Sequence, residues 1–314
     1  MRYALRNKLG TLFGHRMLNT VALASFLGSI IALLLFAVDS RQLLGVSVWE
    51  KPLKFLISAA FYAATFSWLY TYVEKARGLA SKMGNTIAIM LTVELFVIVG
   101  MASVGSTSHF NVSTPLNIAV WSLMAMAISI VWVATFMLSV GLWNSRRMSP
   151  DLRMAVRWSI GLGLAGMGMA FTMTPPQPQQ VLPENWIGYA GAHTVGAADG
   201  GPGLPFFGWS TEAGDLRISH FLGLHALQVL PFVAISLSLL IANYFVRRAI
   251  ITGVAAGYAL LIVFTYVQAL FGETIVQPST LIFLAAVFII AVITSGMTLF
   301  WSRIEIDPNA FSPK

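Results

Sequence analysis

Apolar runs about 20 residues long recur along the whole chain, and they constrain its fold more strongly than its other features. About 20 helical residues are needed to cross the roughly 30 Å of hydrocarbon in a membrane. Eight runs meet this length, at 19–38, 52–73, 85–104, 116–143, 153–173, 218–246, 249–271 and 278–301. A helix pairs its backbone polar groups within one segment, as the hydrocarbon requires. The sequence therefore predicts an all-α integral membrane protein with eight transmembrane helices.

The composition agrees with a membrane protein. Hydrophobic residues make up 57% of the chain and charged residues only 10%, whereas soluble domains carry about 25% charged residues. The absence of cysteine removes disulfides and thiolate metal ligands. The first run follows a basic segment, in which His15 is expected on the surface, and it lacks a cleavage pattern for a signal peptide. Residues 1–314 are predicted to form a single transmembrane domain.

Lysine and arginine predict the orientation, because short cytoplasmic loops are rich in these residues. With eight spans, 15 of the 19 lysines and arginines fall on one side, and Arg41, Lys51, Lys54 and Arg217 fall on the other. Both termini should therefore be cytoplasmic, and the protein should lie in the inner (plasma) membrane. This asymmetry, together with anionic lipid headgroups, accounts for the net charge of +7 without nucleic acid as a partner.

The connection between the fifth and sixth spans, residues 174–216, is far longer than the others and falls on the outer side. Its glycines and prolines exclude regular helix and strand, while its aromatic residues are atypical of disordered linkers. Phe206, Phe207 and Trp209 are expected to pack onto the helices or to lie at the level of the headgroups. We predict a structured periplasmic cap, and long structured loops are commonly functional.

Polar residues in and near the spans are concentrated on this outer side. His109 follows the third span, His193 lies in the cap, and Glu94 lies about 15 Å below the surface at 1.5 Å per residue. In the sixth span, His220 lies near the surface and His225 about 7 Å deeper. Ionisable groups inside a membrane face the bundle interior or a watery cavity. The distribution predicts a polar pocket that opens outward.

The sixth span alone does not supply two histidines to one metal ion. At 100° per residue, His220 and His225 point about 140° apart, and Gln228 lies between their directions. This spacing disfavours the i, i+4 arrangement of many zinc sites. The span therefore forms one wall of a site, and the other ligands must come from elsewhere in the chain.

The imidazoles indicate a bound metal ion (Zn, Cu or Fe) or a haem, because neutral imidazole suits all of these. Carboxylates such as Glu94, Asp199 and Asp215 would complete the shell or orient a ring. The site would support redox chemistry, or metal-assisted attack on a small or lipid-borne substrate at the outer leaflet. The candidates are, as metal ligands, His109, His193, His220 and His225; as cofactor-binding residues, His109, His220, His225 and Gln228; and as catalytic residues, Glu94 and His225.

Two other functions are compatible with the same residues, so whether the chain is an enzyme stays open. Exchangeable protons on Glu94 and His225 would suit a proton-coupled transporter or a lipid-binding protein, although no inverted repeat supports a transporter. A membrane protein that docks on residues 174–216 would suit a non-catalytic subunit or assembly factor. The simplest structural role of Glu94 and His225 is an interhelical hydrogen bond.

The fifth span carries two further patterns. Its glycines are expected to allow close helix approach, as small residues do in membranes. Its methionines are soft ligands suited to Cu(I), but the side chains of Met167 and Met169 face apart, which favours a packing role. The residues concerned are Gly161, Gly163, Gly166 and Gly168, and Met167, Met169 and Met173.

Overall fold

The computed structural model describes residues 14–279, apart from 178–179, 181 and 183–187, together with 282, 283 and 286. All seven α-helices among these residues are long and apolar enough to cross a membrane. The chain therefore has the architecture of a polytopic helical membrane protein. The eighth predicted run, 278–301, lies almost wholly outside the described residues and stays a prediction. The helices are α1 (Arg16–Val38), α2 (Glu50–Tyr70), α3 (Arg77–Ser103), α4 (Pro115–Val140), α5 (Pro150–Met169), α6 (Arg217–Leu240) and α7 (Tyr244–Leu270).

Short strands occur in two of the connections. β1 (Gln42–Leu43) pairs antiparallel with β2 (Val46–Ser47), and β3 (Thr194–Val195) pairs antiparallel with β4 (Gly214–Asp215). The expectation that residues 174–216 exclude regular strand was therefore wrong for β3 and β4. Only Gly214 among the glycines and prolines of this segment lies in one of the two strands, so the others do not interrupt the ladder.

Side-chain caps mark the start of several helices. Thr114 and Ser149 each accept a hydrogen bond from the backbone N–H three residues on, at 3.2 and 3.3 Å. Pro115 and Pro150 follow at the first helical position, where the missing N–H of proline costs nothing. Asn243 caps α7 in the same way. These caps satisfy N–H groups that have no partner within the helix.

Two helix boundaries differ from the sequence prediction. The sixth run was predicted to continue to residue 246, but α6 ends at Leu240 and Asn243 caps the next helix, which begins at Tyr244. Arg247 pins this turn by donating to the carbonyl oxygens of Ile241 and Ala242, at 2.8 and 2.9 Å. The third helix begins at Arg77 rather than at residue 85. Its first turns are polar and precede the predicted apolar run, yet they are helical.

The described residues separate into two compact units. The first comes from the described parts of Met1–Arg147 and Thr172–Ala192 and contains α1 to α4. The second comes from the described parts of Met148–Phe171 and His193–Lys314 and contains α5 to α7. The predicted cap is divided between them, with residues 174–192 in the first unit and 193–216 in the second. The single domain over residues 1–314 stays a prediction.

The first unit is held by packing between neighbouring helices. Ala32 of α1 lies in a buried cluster with Leu53 and Leu56 of α2. Deeper in α2, the hydroxyl of Tyr62 forms a hydrogen bond with the hydroxyl of Thr135 in α4. Both partners are buried, so this bond satisfies two polar groups that would otherwise be costly in an apolar interior.

His15 is buried in the first unit, and the expectation that it lies on the surface was wrong. Only 4% of the residue is exposed. Its Nδ1 accepts from the backbone N–H of Leu18, and its Nε2 donates to the carbonyl oxygen of Ser81 at 3.0 Å. Burial lowers the pKa of His15, and the bond to Ser81 offsets only part of that effect. The ring therefore joins the start of α1 to α3 as a neutral group.

The second unit is built on a close crossing of α5 and α6. A Cβ atom added at Gly166 would lie 2.6 Å from the Cα of Gly223, and one at Gly163 would lie 2.9 Å from Leu227. Gly161 and Gly168 meet nothing within 4 Å. The predicted close approach is thus confirmed for Gly163 and Gly166 only, which lie on the side of α5 that faces α6.

Candidate functional site

Each unit carries its own set of the predicted polar residues. Glu94 and His109 belong to the first unit, whereas His193, His220, His225 and Gln228 belong to the second. The two sets are described separately below.

In the second unit, the β3–β4 ladder brings His193 to the start of α6. Thr194 pairs with Asp215, and the backbone N–H of Leu216 donates to the carbonyl oxygen of His193 at 3.0 Å. The carbonyl oxygen of Leu216 in turn accepts from the backbone N–H of His220 at 3.4 Å. Two residues separated by 27 positions in the sequence are thus connected by consecutive backbone hydrogen bonds.

His220 is oriented by the backbone of α5. Its Nδ1 lies 2.7 Å from the carbonyl oxygen of Gly166. A carbonyl oxygen can only accept, so Nδ1 carries the proton and the neutral ring has its lone pair on Nε2. The Gly166–Gly223 crossing makes this bond possible, because it brings the α5 backbone close to α6.

His193 is oriented in the same way by a carboxylate. Its Nδ1 donates to Oδ2 of Asp199 at 2.9 Å, and the side chains of both residues are 25% exposed. Asp199 also accepts from the backbone N–H groups of His193 and Thr194, at 3.0 and 2.9 Å. The bond to the carboxylate places the lone pair of the neutral His193 ring on Nε2.

These hydrogen bonds also set the charge of Asp199. Burial alone would raise the pKa of its carboxyl, but the hydrogen bonds from His193 and Thr194 hold that pKa well below the usual range. Asp199 is therefore ionised at neutral pH. An ionised carboxylate can orient an imidazole by accepting a hydrogen bond from the ring nitrogen that does not bind the metal.

His225 lies one helical turn beyond Phe221, and the two rings pack with centroids 4.2 Å apart. Gln228 forms a side-chain hydrogen bond with His225. His220 therefore contacts α5 while His225 contacts residues of its own helix, in keeping with the large angle predicted between them. His193 and His225 nevertheless both lie within electrostatic range of His220.

Asp215, predicted to complete a metal shell or orient a ring, has a different role. It is 2% exposed and accepts from Nε of Arg217 at 2.9 Å and from the backbone N–H of Ser210 at 2.8 Å. These bonds hold the polypeptide of the cap to the start of α6.

In the first unit, Glu94 lies buried in the membrane-spanning part of α3. It is 7% exposed, and within the described part of the chain its Oε1 has no hydrogen-bond partner. Lys51 is the charged residue within electrostatic range. Lys54, the partner considered from the sequence, instead pairs with Glu50 at 2.6 Å.

His109 lies among aromatic rings. Its ring centroid is 5.7 Å from that of Phe55 and 5.4 Å from that of Trp121. The hydroxyl of Ser108 is 3.0 Å from its Nδ1, and a hydroxyl can either donate or accept. The proton position of His109 is therefore not fixed by this contact, in contrast to those of His193 and His220.

Two site contacts were missed by reasoning from the sequence. The acceptor for His220 is a backbone carbonyl, and such an acceptor cannot be identified from residue types. Lys51, rather than Lys54, lies near Glu94, although both fall in the same turn of α2.

Among the described residues, no group of three or more histidine, aspartate or glutamate side chains is arranged to hold a metal ion. Met167 and Met173 are buried in the structure, as expected for packing residues.

No protein-family model, no curated protein and no solved structure is significantly similar to the chain. Its function must therefore be argued from these contacts.

Proposed function

We propose that the second unit binds a metal centre, either a metal ion or a haem iron, with Nε2 of His193 and of His220 as the ligands. The centre would support redox or metal-assisted chemistry at the outer leaflet of the inner membrane. The proposal depends on one observation: both rings donate Nδ1–H to groups that accept, so both direct a lone pair through Nε2.

This arrangement is typical of histidines that bind metals. Metal-ligating histidines almost always donate their other ring N–H to a carboxylate or a backbone carbonyl, and the two rings here use one of each. Haem iron needs only one or two axial histidines, and a metal ion would take further ligands from His225, water or substrate. The aromatic and apolar surroundings of His225 suit a lipid-borne or other apolar substrate.

The test is the metal content and absorption spectrum of protein purified from cells grown with sufficient iron, zinc and copper. We expect a stoichiometric metal or a Soret band, lost in His193→Ala and His220→Ala. Asp199→Asn should weaken binding about 10-fold to 100-fold, the usual effect of removing a group that orients a ligand. Glu212→Gln, an exposed change in the same cap, is the matched control and should bind as the wild type does.

The proposal would be refuted by purified wild-type protein that contains no metal or haem and binds none on addition of zinc, copper, iron or haem. His109→Ala changes a residue of the first unit and should bind as the wild type does.

A second candidate function comes from Glu94. A buried carboxyl oxygen without a hydrogen-bond partner needs an explanation, and an ionisable residue inside a membrane is by default a functional candidate. We propose that Glu94 binds an exchangeable proton, which would suit proton-coupled transport. Lys51 would then influence the proton affinity of the carboxyl.

This candidate is tested in vesicles loaded with a pH-sensitive dye, in which a potassium diffusion potential drives proton movement. Wild-type protein should increase the proton flux, and Glu94→Gln should abolish the increase. Glu74→Gln changes an exposed carboxyl between α2 and α3 and is the matched control. Equal flux through wild type and Glu94→Gln would rule the candidate out.

Orientation belongs to the same proposal, in which the distribution of basic residues favours cytoplasmic termini. The chain contains no cysteine, so single cysteines can be labelled cleanly in intact cells. A membrane-impermeant maleimide should label Glu212→Cys from outside and should not label Lys82→Cys. The reverse pattern would invert the topology.

A further inference from the structure

The cap contains a compact hairpin, residues 202–211, whose tip is exposed and aromatic. The backbone N–H of Leu204 donates to the carbonyl oxygen of Trp209, and that of Thr211 donates to the carbonyl oxygen of Pro202, at 2.8 and 3.0 Å. The backbone N–H of Gly208 closes the tip by donating to the carbonyl oxygen of Leu204 at 2.8 Å. The hairpin therefore has its own backbone ladder.

The base of the hairpin is fixed to the start of α6. Asp215 accepts from the backbone N–H of Ser210, and Arg217 donates to the carbonyl oxygen of Gly208 while pairing with Asp215. The hairpin therefore has a defined position relative to a membrane-spanning helix.

The tip displays two phenylalanines. Phe206 is 52% exposed and Phe207 is 38% exposed, and no charged residue occurs between residues 200 and 211. Phe206 has a φ of +66°, a left-handed conformation that disfavours residues other than glycine. The hairpin thus holds a large apolar side chain outward in a strained backbone conformation, and such strain is concentrated at functional positions.

The aromatic rings connect this tip to the membrane-spanning helix. Phe207 stacks on Trp209 with ring centroids 4.5 Å apart, and Trp209 contacts Phe221 at 5.6 Å. Phe221 lies in the second turn of α6. The tip therefore lies beside the first turns of α6. Aromatic residues are enriched where membrane-spanning helices enter the apolar layer.

We propose that the hairpin at residues 202–211 inserts Phe206 and Phe207 into the boundary between headgroups and acyl chains, and that its partner is the lipid surface itself. The uncharged sequence, the outward aromatic pair and the anchoring to α6 all suit an interface in which one side is apolar and the other wet. The insertion would fix the position of the cap relative to the bilayer. This inference is independent of the metal centre.

The experiment uses the full chain in vesicles of phosphatidylethanolamine and phosphatidylglycerol, with a nitroxide spin label on a single cysteine. Collisions of the label with oxygen report lipid, and collisions with a water-soluble nickel chelate report solvent. For Phe206→Cys we expect oxygen accessibility to exceed nickel accessibility. For Glu212→Cys, an exposed position in the same cap, we expect the opposite. Pro205→Cys gives a second label at the tip if Phe206→Cys fails to fold.

Two results would overturn the proposal. A label at the tip that is accessible to nickel, as at residue 212, would place the hairpin in water. A label that is inaccessible to both reagents would show that protein covers the tip, either from this chain or from a partner.

Discussion

The two units differ in how the polar groups within them are hydrogen-bonded. In the second unit, His193 and His220 each give a ring N–H to an acceptor, one a carboxylate and the other a backbone carbonyl. In the first unit, Glu94 is more deeply buried, yet one of its oxygens has no hydrogen-bond partner within the described residues. The first arrangement fixes a proton on each ring, whereas the second leaves a carboxyl oxygen unpaired.

The difference indicates which chemistry each unit can perform. A ring whose proton is held on Nδ1 presents a constant lone pair, which is what a metal ligand requires. A carboxyl with an unpaired oxygen has a proton affinity that depends on nearby charge, and Lys51 is such a charge.

The helix crossing that supports His220 should be the most sensitive point of the second unit. Gly166→Ala places a Cβ atom 2.6 Å from the backbone of Gly223, so the helices must separate. Overpacking of this kind costs about 1–3 kcal/mol, and the separation would also weaken the bond to His220. Thermal unfolding in detergent should show the loss, whereas Gly168→Ala, in open space on the same helix, should not. Equal stability of the two variants would contradict the described crossing.

The buried His15 provides the corresponding test in the first unit. A Cβ atom at Gly84 would lie 2.6 Å from Nε2 of His15, so Gly84→Ala should displace the ring and break its bond to Ser81. We expect a loss of about 1–2 kcal/mol, because a buried donor loses its partner. Gly78→Ala, which meets no atom within 4 Å, is the control on the same helix. A harmless Gly84→Ala would show that His15 does not join α1 to α3.

Acid should weaken the hydrogen bonds that Asp199 accepts from His193 and Thr194, and it should do so in a defined pH range. The pKa of Asp199 is lower in the folded protein than in the unfolded chain, so the unfolded chain binds more protons as the pH falls. The stabilisation is complete above the ordinary aspartate pKa of about 4 and is lost as the pH falls further towards the lowered value. Asp199→Asn should cost about 1–3 kcal/mol at neutral pH and remove this part of the acid dependence.

Unfolding measured between neutral pH and acid checks this prediction, with Glu212→Gln as the control that should keep the wild-type dependence. An Asp199→Asn variant with an unchanged pH profile would mean that the carboxylate does not anchor His193.

The smallest effect on stability is expected at Glu94. Glu94→Gln removes a buried carboxyl that has one unpartnered oxygen, so little favourable interaction is lost, and we expect a change below about 1 kcal/mol. Asp215→Asn, at a carboxyl equally buried but bonded to Arg217 and Ser210, should cost clearly more because it breaks a charge-assisted network. Chemical unfolding of both variants makes the comparison. A larger loss for Glu94→Gln would show that Glu94 is structural.

Much of the helical architecture could be predicted from the sequence, because an apolar run of about 20 residues has few alternatives in a membrane. All seven runs before residue 272 correspond to helices, with ends set by local caps such as Asn243. The close approach at Gly163 and Gly166 was predicted as a property of α5, but which of its glycines meet α6 depends on how the helices pack.

The site could be predicted only in part, because its decisive contacts depend on backbone groups and on packing rather than on residue types. Helical spacing separated His220 from His225, and the carboxylates expected to orient a ring included Asp199. The acceptor of His220 is a backbone oxygen, and the burial of His15 arises from a glycine 69 residues away in the sequence. Both depend on tertiary packing, which a single sequence does not reveal.

The position of the proton on His220 tests the central claim most directly. Nitrogen-15 NMR of histidine-labelled protein, with the His220 signals assigned by their loss in His220→Gln, distinguishes the two neutral tautomers. We predict a protonated Nδ1 and a bare Nε2 at neutral pH, with Nε2 alone shifting when the metal or haem binds. A ring protonated on Nε2, with Nδ1 bare, would contradict the account, because it could not donate to Gly166 and present a ligand at the same time.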